Sequence, residues 1–152
     1  DKGHEDHVDL GDDARAGQRD VTAVDRKRTV MGQCVVHDDL HHRHGYLIET
    51  DETRLFYASD TGRLPAETSE CIRGVDVLAM DATYWKDCPA PQAHHSVQSC
   101  IEEGFELGAK KIYLTHLAMH YMEPITLREL NIYLEQYNGR VQAAADGLSF
   151  AL

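Results

Sequence analysis

Phe56-Tyr57-Ala58-Ser59-Asp60-Thr61-Gly62 is an apolar stretch that ends in an acidic residue and, two positions later, a glycine. Aromatic and small side chains in this order fit a strand, and Asp shortly before Gly fits the turn that closes it. Working outward, residues 46–50 and 54–58 are expected to pair as a hairpin across Asp51-Glu52-Thr53, and residues 29–36 to form a further strand. Residues 75–80 are a short apolar run suited to a buried strand. Ser96 can cap a helix with Val97, Cys100, Ile101 and Phe105 inward, ended by Gly108. Residues 112–115 form the next strand, with His116 at its end. Thr126-Leu127-Arg128-Glu129 is a capping-box pattern opening a helix with Leu127, Leu130, Leu134 and Tyr137 inward, and Asn138-Gly139 stops it. Residues 141–145 and 148–152 flank Asp146-Gly147, a two-residue hairpin signal. Strands alternating with helices give an α/β class, and residue types that bind ligands fall where strands end.

Composition bounds the rest. With 152 residues, 42% of them hydrophobic, the chain is expected to be one domain with a real core: residues 1–28 an irregular, polar segment and residues 29–152 the folded body. No apolar run approaches the length of a membrane span, so no membrane association is expected, and the charged start at Asp1–Asp6 lacks a signal-peptide pattern. A net charge of −11 argues against a broad nucleic-acid-binding face, although bound cations can invert the local field for a phosphate substrate. Cys34, Cys71, Cys88 and Cys100 form no C-x-x-C pair, which together with the start of the chain suggests a reducing cytoplasm.

Ten histidines are the outlying count. Lys2-Gly3-His4-Glu5-Asp6-His7 gathers imidazoles and carboxylates in six residues, and His37, Asp60 and His116 follow as isolated ligand types. Neutral imidazoles donate nitrogen to a cation, carboxylates neutralise its charge, and one carboxylate can bridge two cations. The His41-His42-Arg43-His44 run is better read as a solvated loop than as a metal tract.

In this order the motifs resemble those of metallo-β-lactamase-fold hydrolases, in the branch that cleaves phosphodiesters. Gly3–His7 resembles the tail of an H-x-H-x-D-H signature, and His37-Asp38 before Gly45-Tyr46-Leu47-Ile48 its second histidine motif. The Phe56–Gly62 stretch resembles the strand carrying the bridging aspartate, and Leu78-Ala79-Met80-Asp81-Ala82-Thr83 an acidic segment of RNA-processing and cyclic-phosphate-cleaving relatives. His94-x-Ser96-Val97 resembles a helix-entry histidine motif, Leu114-Thr115-His116-Leu117 the final metal histidine, and Ala144-Ala145-Asp146-Gly147 the closing hairpin. The resemblance implies a four-layer αββα sandwich, of which this chain carries mainly the C-terminal half, with the N-terminal half shortened or missing. Lys2 stands where the first signature histidine would be, and an ammonium cannot ligate a cation without losing its proton.

What the resemblance implies for chemistry is two divalent cations, zinc or manganese, with iron also compatible. His4 and His37 would hold one, Asp6, His7 and His116 the other, with Asp60 bridging and a shared hydroxide attacking phosphorus. Asp60, Asp81 and His94 form the catalytic set, His94 protonating the leaving alkoxide and Asp81 orienting it. His120 and Tyr121 are expected to contact the substrate, with His95 beside His94 as a further contact. The interval from His37 to Asp60 is filled by the hairpin, leaving no room for the long arm of the transfer-RNA 3′-end endonucleases and favouring the phosphoribosyl cyclic-phosphate phosphodiesterases. The expected activity is therefore hydrolysis of a small cyclic or activated phosphate ester. The alternatives are a ribonuclease Z-like endoribonuclease, for which nucleic acid is the partner, thioester or lactone hydrolysis, and a degenerate metal-binding scaffold without turnover. Such relatives often pair, so a homodimer is the expected assembly.

Overall fold

The structure, a computed structural model, describes the backbone of residues 30–32 together with residues 44–118 and 124–149. Its elements run β1 (Val30–Gly32), β2 (Tyr46–Glu49), β3 (Arg54–Ala58), α1 (Ala66–Ile72), β4 (Val77–Asp81), α2 (Val97–Glu106), β5 (Lys111–Thr115), α3 (Leu127–Leu134) with a 3-10 turn over Glu135–Tyr137, and β6 (Val141–Ala143). The six strands form one sheet in sequence order, antiparallel from β1 to β3 and parallel from β3 to β6. Parallel neighbours need a crossover, and α1, α2 and α3 supply the three required. The class is α/β, as the strand and helix signals imply.

Side chains alternate across a strand, so register decides which residues share a face. One row crosses the sheet as Leu47, Phe56, Leu78, Ile112 and Val141, each paired to the next and all buried. The helices close over this face with Ile72, Val97, Cys100, Ile101, Leu130 and Leu134. Burial of each large side chain there is worth about 1.5–3 kcal/mol. Gly104 lets α2 approach: a Cβ there would lie 2.6 Å from Ile112 Cδ1 and 3.0 Å from Leu78 Cδ2. The opposite row, Tyr46, Tyr57, Ala79 and Tyr113, carries the aromatic residues Tyr46 and Tyr57 exposed.

Local signals position the turns. Thr50 Oγ1 accepts from Thr53 N at 3.0 Å and closes the β2–β3 loop. Ser96 and Ser99 form a reciprocal cap on α2, and Thr126 and Glu129 one on α3. Asn138 (φ 50) and Gly139 (φ 78) take the left-handed conformation that ends the α3 segment.

Some expectations need correction. Leu127, the first residue of α3, is exposed rather than inward, and Leu130 and Leu134 are the residues of this helix that face the core. Helix α1 was not foreseen. It follows Pro65 with no side-chain cap and buries only Thr68 and Ile72, so neither capping nor periodicity marks it. Asp146-Gly147 does turn, with Leu148 N donating to Ala145 O at 3.0 Å. Residues 148–149 form no strand, and β6 pairs instead with β5 across α3. Residues 150–152, residues 33–36 of the expected first strand, and the segment 1–28 lie outside the described residues.

Candidate functional site

Three of the parallel strands, β3, β4 and β5, bring residues that can bind a ligand to their carboxyl ends. Asp60 stands two residues beyond β3, Asp81 is the last residue of β4, His116 follows β5 directly, and His94 lies just ahead of α2. Ligands in parallel α/β sheets bind outside the carboxyl ends of the strands. One donor atom from each of Asp60, Asp81, His94 and His116 falls within a 4.8 Å cluster.

Asp81 is the hub. Its carboxylate is fully buried, in register with Thr115, and both oxygens are satisfied. Oδ1 accepts from Thr83 N at 3.0 Å and from His95 N at 2.9 Å. Oδ2 accepts from His94 Nδ1 and His116 Nδ1, both at 3.0 Å, and from Thr83 Oγ1 at 3.1 Å. Thr83 Oγ1 also lies 3.2 Å from His94 Nδ1 and 3.0 Å from His116 Nδ1. A carboxylate that accepts at Nδ1 fixes the tautomer and plane of an imidazole, which leaves Nε2 for a cation or substrate. Asp81 does this for two rings at once, whose centroids stand 5.6 Å apart.

His116 pays backbone strain to take part. Its φ of 55 is a left-handed conformation uncommon for a residue other than glycine, and it turns the ring back toward Asp81. Asp60 reaches the same place from the loop after β3, its Oδ1 3.5 Å from His94 Nδ1, and it is exposed. Tyr84 packs edge-on against His94, and Cys88 Sγ donates to the His94 carbonyl at 3.2 Å. Cys88 and Cys100 are free thiols, and burial pushes the Cys100 thiol well up.

The donor set fits divalent cations: an exposed carboxylate and two imidazoles held at Nδ1 by a buried acid are nitrogen and oxygen ligands with their orienting partner in place. Asp60, His94 and His116 each bring a donor atom to this cluster that could hold a cation. Asp81, with five donors on two oxygens, serves as their anchor.

Of the expected site residues, the structure brings together Asp60, Asp81, His94 and His116. His4, Asp6, His7, His37, His120 and Tyr121 lie outside the described residues, as does Lys2. His95 is not available for a substrate contact as drawn from its position beside His94. It is buried, its Nδ1 2.8 Å from the Thr61 carbonyl oxygen and its Nε2 2.6 Å from Glu103 Oε2, so both ring nitrogens are engaged. Thr83 was missed. Its signal was the Asp-x-Thr spacing, in which a carboxylate accepts from the backbone two residues on. Glu103 was missed because eight residues and a helix cap separate it from His95.

Residues 4–117 match the sequence family described as Beta-lactamase superfamily domain. A ribonuclease Z of Pyrobaculum calidifontis is 35% identical over 81 residues, covering 51% of this chain and 28% of that protein. Among solved structures, a diphosphatase of the PhnP family superposes with TM-score 0.62 and 25% identity over 85% of this chain and 46% of its own. The short form of human tRNase Z superposes with TM-score 0.56 and 14% identity over 85% and 45%, a likeness of fold. The chain thus spans less than half the length of each of these proteins.

Proposed function

The chain belongs to the metallo-β-lactamase superfamily, and from that membership and the Asp81 cluster we propose that it hydrolyses a small cyclic or otherwise activated phosphodiester with divalent metal. The observation that carries this reading is the buried Asp81 carboxylate holding His94 and His116 by their Nδ1 atoms beside Asp60. Asp60 and His116 would hold cations, joined by His4, Asp6, His7 and His37. Divalent cations at such a site lower the pKa of bound water and neutralise phosphoryl oxygens as charge builds on them.

The chain's own residues do the remaining work. With Nδ1 donating to Asp81, His94 exchanges protons with substrate through Nε2, delivering one to the leaving alkoxide. Thr83 restrains both rings by its hydroxyl and keeps Asp81 from rotating. Tyr84 limits the tilt of the His94 ring from one side. Such placement of a general acid contributes about 10²–10⁴-fold to a rate.

The similarity to a ribonuclease Z supports a second reading, cleavage of a structured RNA. The net charge of −11 weighs against it. Turnover of bis(p-nitrophenyl) phosphate, a cyclic phosphodiester and a precursor transfer RNA, each with manganese or zinc, separates the two. The proposal expects the small esters to be cleaved and their cleavage to vanish in Asp60→Ala. Cleavage of the RNA alone would favour the second reading, and no turnover of any ester by a metal-loaded chain would overturn both.

A further inference from the structure

We infer that His95 and Glu103 form a positioning pair that sets where the Asp60 carboxylate stands relative to Asp81 and His94; this rests on the assignment of Asp60 to the metal-dependent site. The two side chains lie at the interior end of α2, His95 ahead of its cap and Glu103 two turns inside, with side-chain exposures of 4% and 14%. Their side chains hydrogen-bond to the chain that follows Asp60.

That chain is fastened at four consecutive residues. Thr61 offers its carbonyl to His95 Nδ1 at 2.8 Å. Gly62 passes so close to the 91–92 backbone that a Cβ would lie 2.4 Å from Pro91 O and from Gln92 C. Arg63 N donates to Pro91 O at 3.2 Å, and Leu64 N donates to Glu103 Oε1 at 3.1 Å. Glu103 Oε2 closes the circuit on His95 Nε2 at 2.6 Å. A carbonyl oxygen only accepts, so His95 Nδ1 carries hydrogen, and the ring spans from the loop after β3 to the helix after β4 as a rigid strut. Through its backbone N–H the same residue also holds Asp81 Oδ1 at 2.9 Å.

One residue therefore touches both carboxylates' supports: Asp81 directly and the Asp60 loop through the imidazole. Burying such a pair is weak as a source of stability, since apolar residues of similar size often serve as well or better. What an apolar pair cannot do is hold one carbonyl and one amide of a loop at fixed distances. Helix α2 carries His94 at its entry, so the strut ties the position of Asp60 to the element that positions the general acid. Replacement of residues that orient a metal ligand costs about 10–100-fold in metal affinity or activity.

The test compares Glu103→Gln with Glu103→Ala in the full chain, reading manganese affinity by electron paramagnetic resonance and kcat and KM on bis(p-nitrophenyl) phosphate. Gln keeps an acceptor for Leu64 N and can donate its amide to Nε2 of a neutral His95; Ala keeps neither. Glu103→Ala is expected to bind manganese about 10-fold more weakly and to lose kcat with little change in KM, while Glu103→Gln stays within about two-fold of the parent chain. Equal loss in both variants, or parent-like behaviour of Glu103→Ala, overturns the inference. His95→Asn keeps a donor for the Thr61 carbonyl but cannot reach Glu103. It serves if Glu103→Ala does not fold; parent-like manganese affinity and kcat in that variant would likewise overturn the inference. A parent chain that binds no manganese instead overturns the assignment of Asp60, whatever the variants do.

Discussion

Strand β4 has an acid at each end, and the two acids are neutralised in opposite ways. At its entrance, Asp76 accepts from Arg54 N at 2.8 Å and pairs with Lys110 Nζ at 2.6 Å, while Arg54 itself pairs with Glu49 at 2.7 Å. At its exit, Asp81 meets two imidazoles, a hydroxyl and two backbone amides, and no lysine or arginine among the described residues. Lysine and arginine stay charged across the ordinary pH range and fix the entrance. Histidines can gain or lose a proton and can bind a cation through the nitrogen left over, so the exit can change state. The entrance clamps the sheet; the exit is built for chemistry.

This contrast can be broken from the exit first. Asp81→Asn removes the charge that five donors share and presents an amide to one side of them; it should cost roughly 3 kcal/mol of stability and about 10²–10⁴-fold in turnover. Urea unfolding and phosphodiester assays measure both. His94→Gln should separate the two effects. Turnover should fall about 10²–10⁴-fold, while the unfolding midpoint stays close to that of the parent, since the ring is partly exposed and Asp81 keeps its other donors. A His94 variant that unfolded as readily as Asp81→Asn would make His94 a structural residue and erase the distinction between anchor and reactive group.

At the entrance the effects should be smaller and confined to stability. Lys110 and the Arg54 amide hold the Asp76 carboxyl below its ordinary value. A depressed acid stabilises the fold above its unfolded pKa, and that contribution disappears as pH falls through the folded value. Because Lys110 is 74% exposed, Asp76→Asn should cost only about 0.5–1 kcal/mol at neutral pH. It should also flatten the acid limb of the stability profile in urea titrations, with turnover unchanged. Lys110→Met should cost less still, about 0.5 kcal/mol, an effect that added salt should shrink. A large loss of turnover in either variant would mean that the two ends of β4 are coupled.

The sequence disclosed the exit better than the entrance. Asp60 and His116 could be picked out because each follows an apolar run and a strand end is a local pattern, whereas Asp81 and His94 were marked by the family resemblance of their segments. The hairpin from Tyr46 to Ala58 and the caps at Ser96 and Thr126 were legible for the same reason: their signals span four residues or so. Partners across the sheet were not. Asp76 and Lys110 meet through the β4–β5 register, and His95 and Glu103 through the path of a loop, so nothing in the linear order joins them. His95 shows the difficulty in one residue. It sits beside His94 in sequence, yet its ring enters the loop support and hydrogen-bonds to Thr61 and Glu103. Leu127 was misassigned because helical periodicity fixes spacing along a helix and not at which residue its buried stretch begins.

The most direct test of the central claim is a manganese titration of the full chain beside Asp60→Ala and His116→Ala, followed by calorimetry and electron paramagnetic resonance. The account predicts stoichiometric, saturable binding by the parent chain, weakened about 10-fold or more in each variant. Absence of binding by the parent chain, or affinity unchanged in both variants, would contradict it.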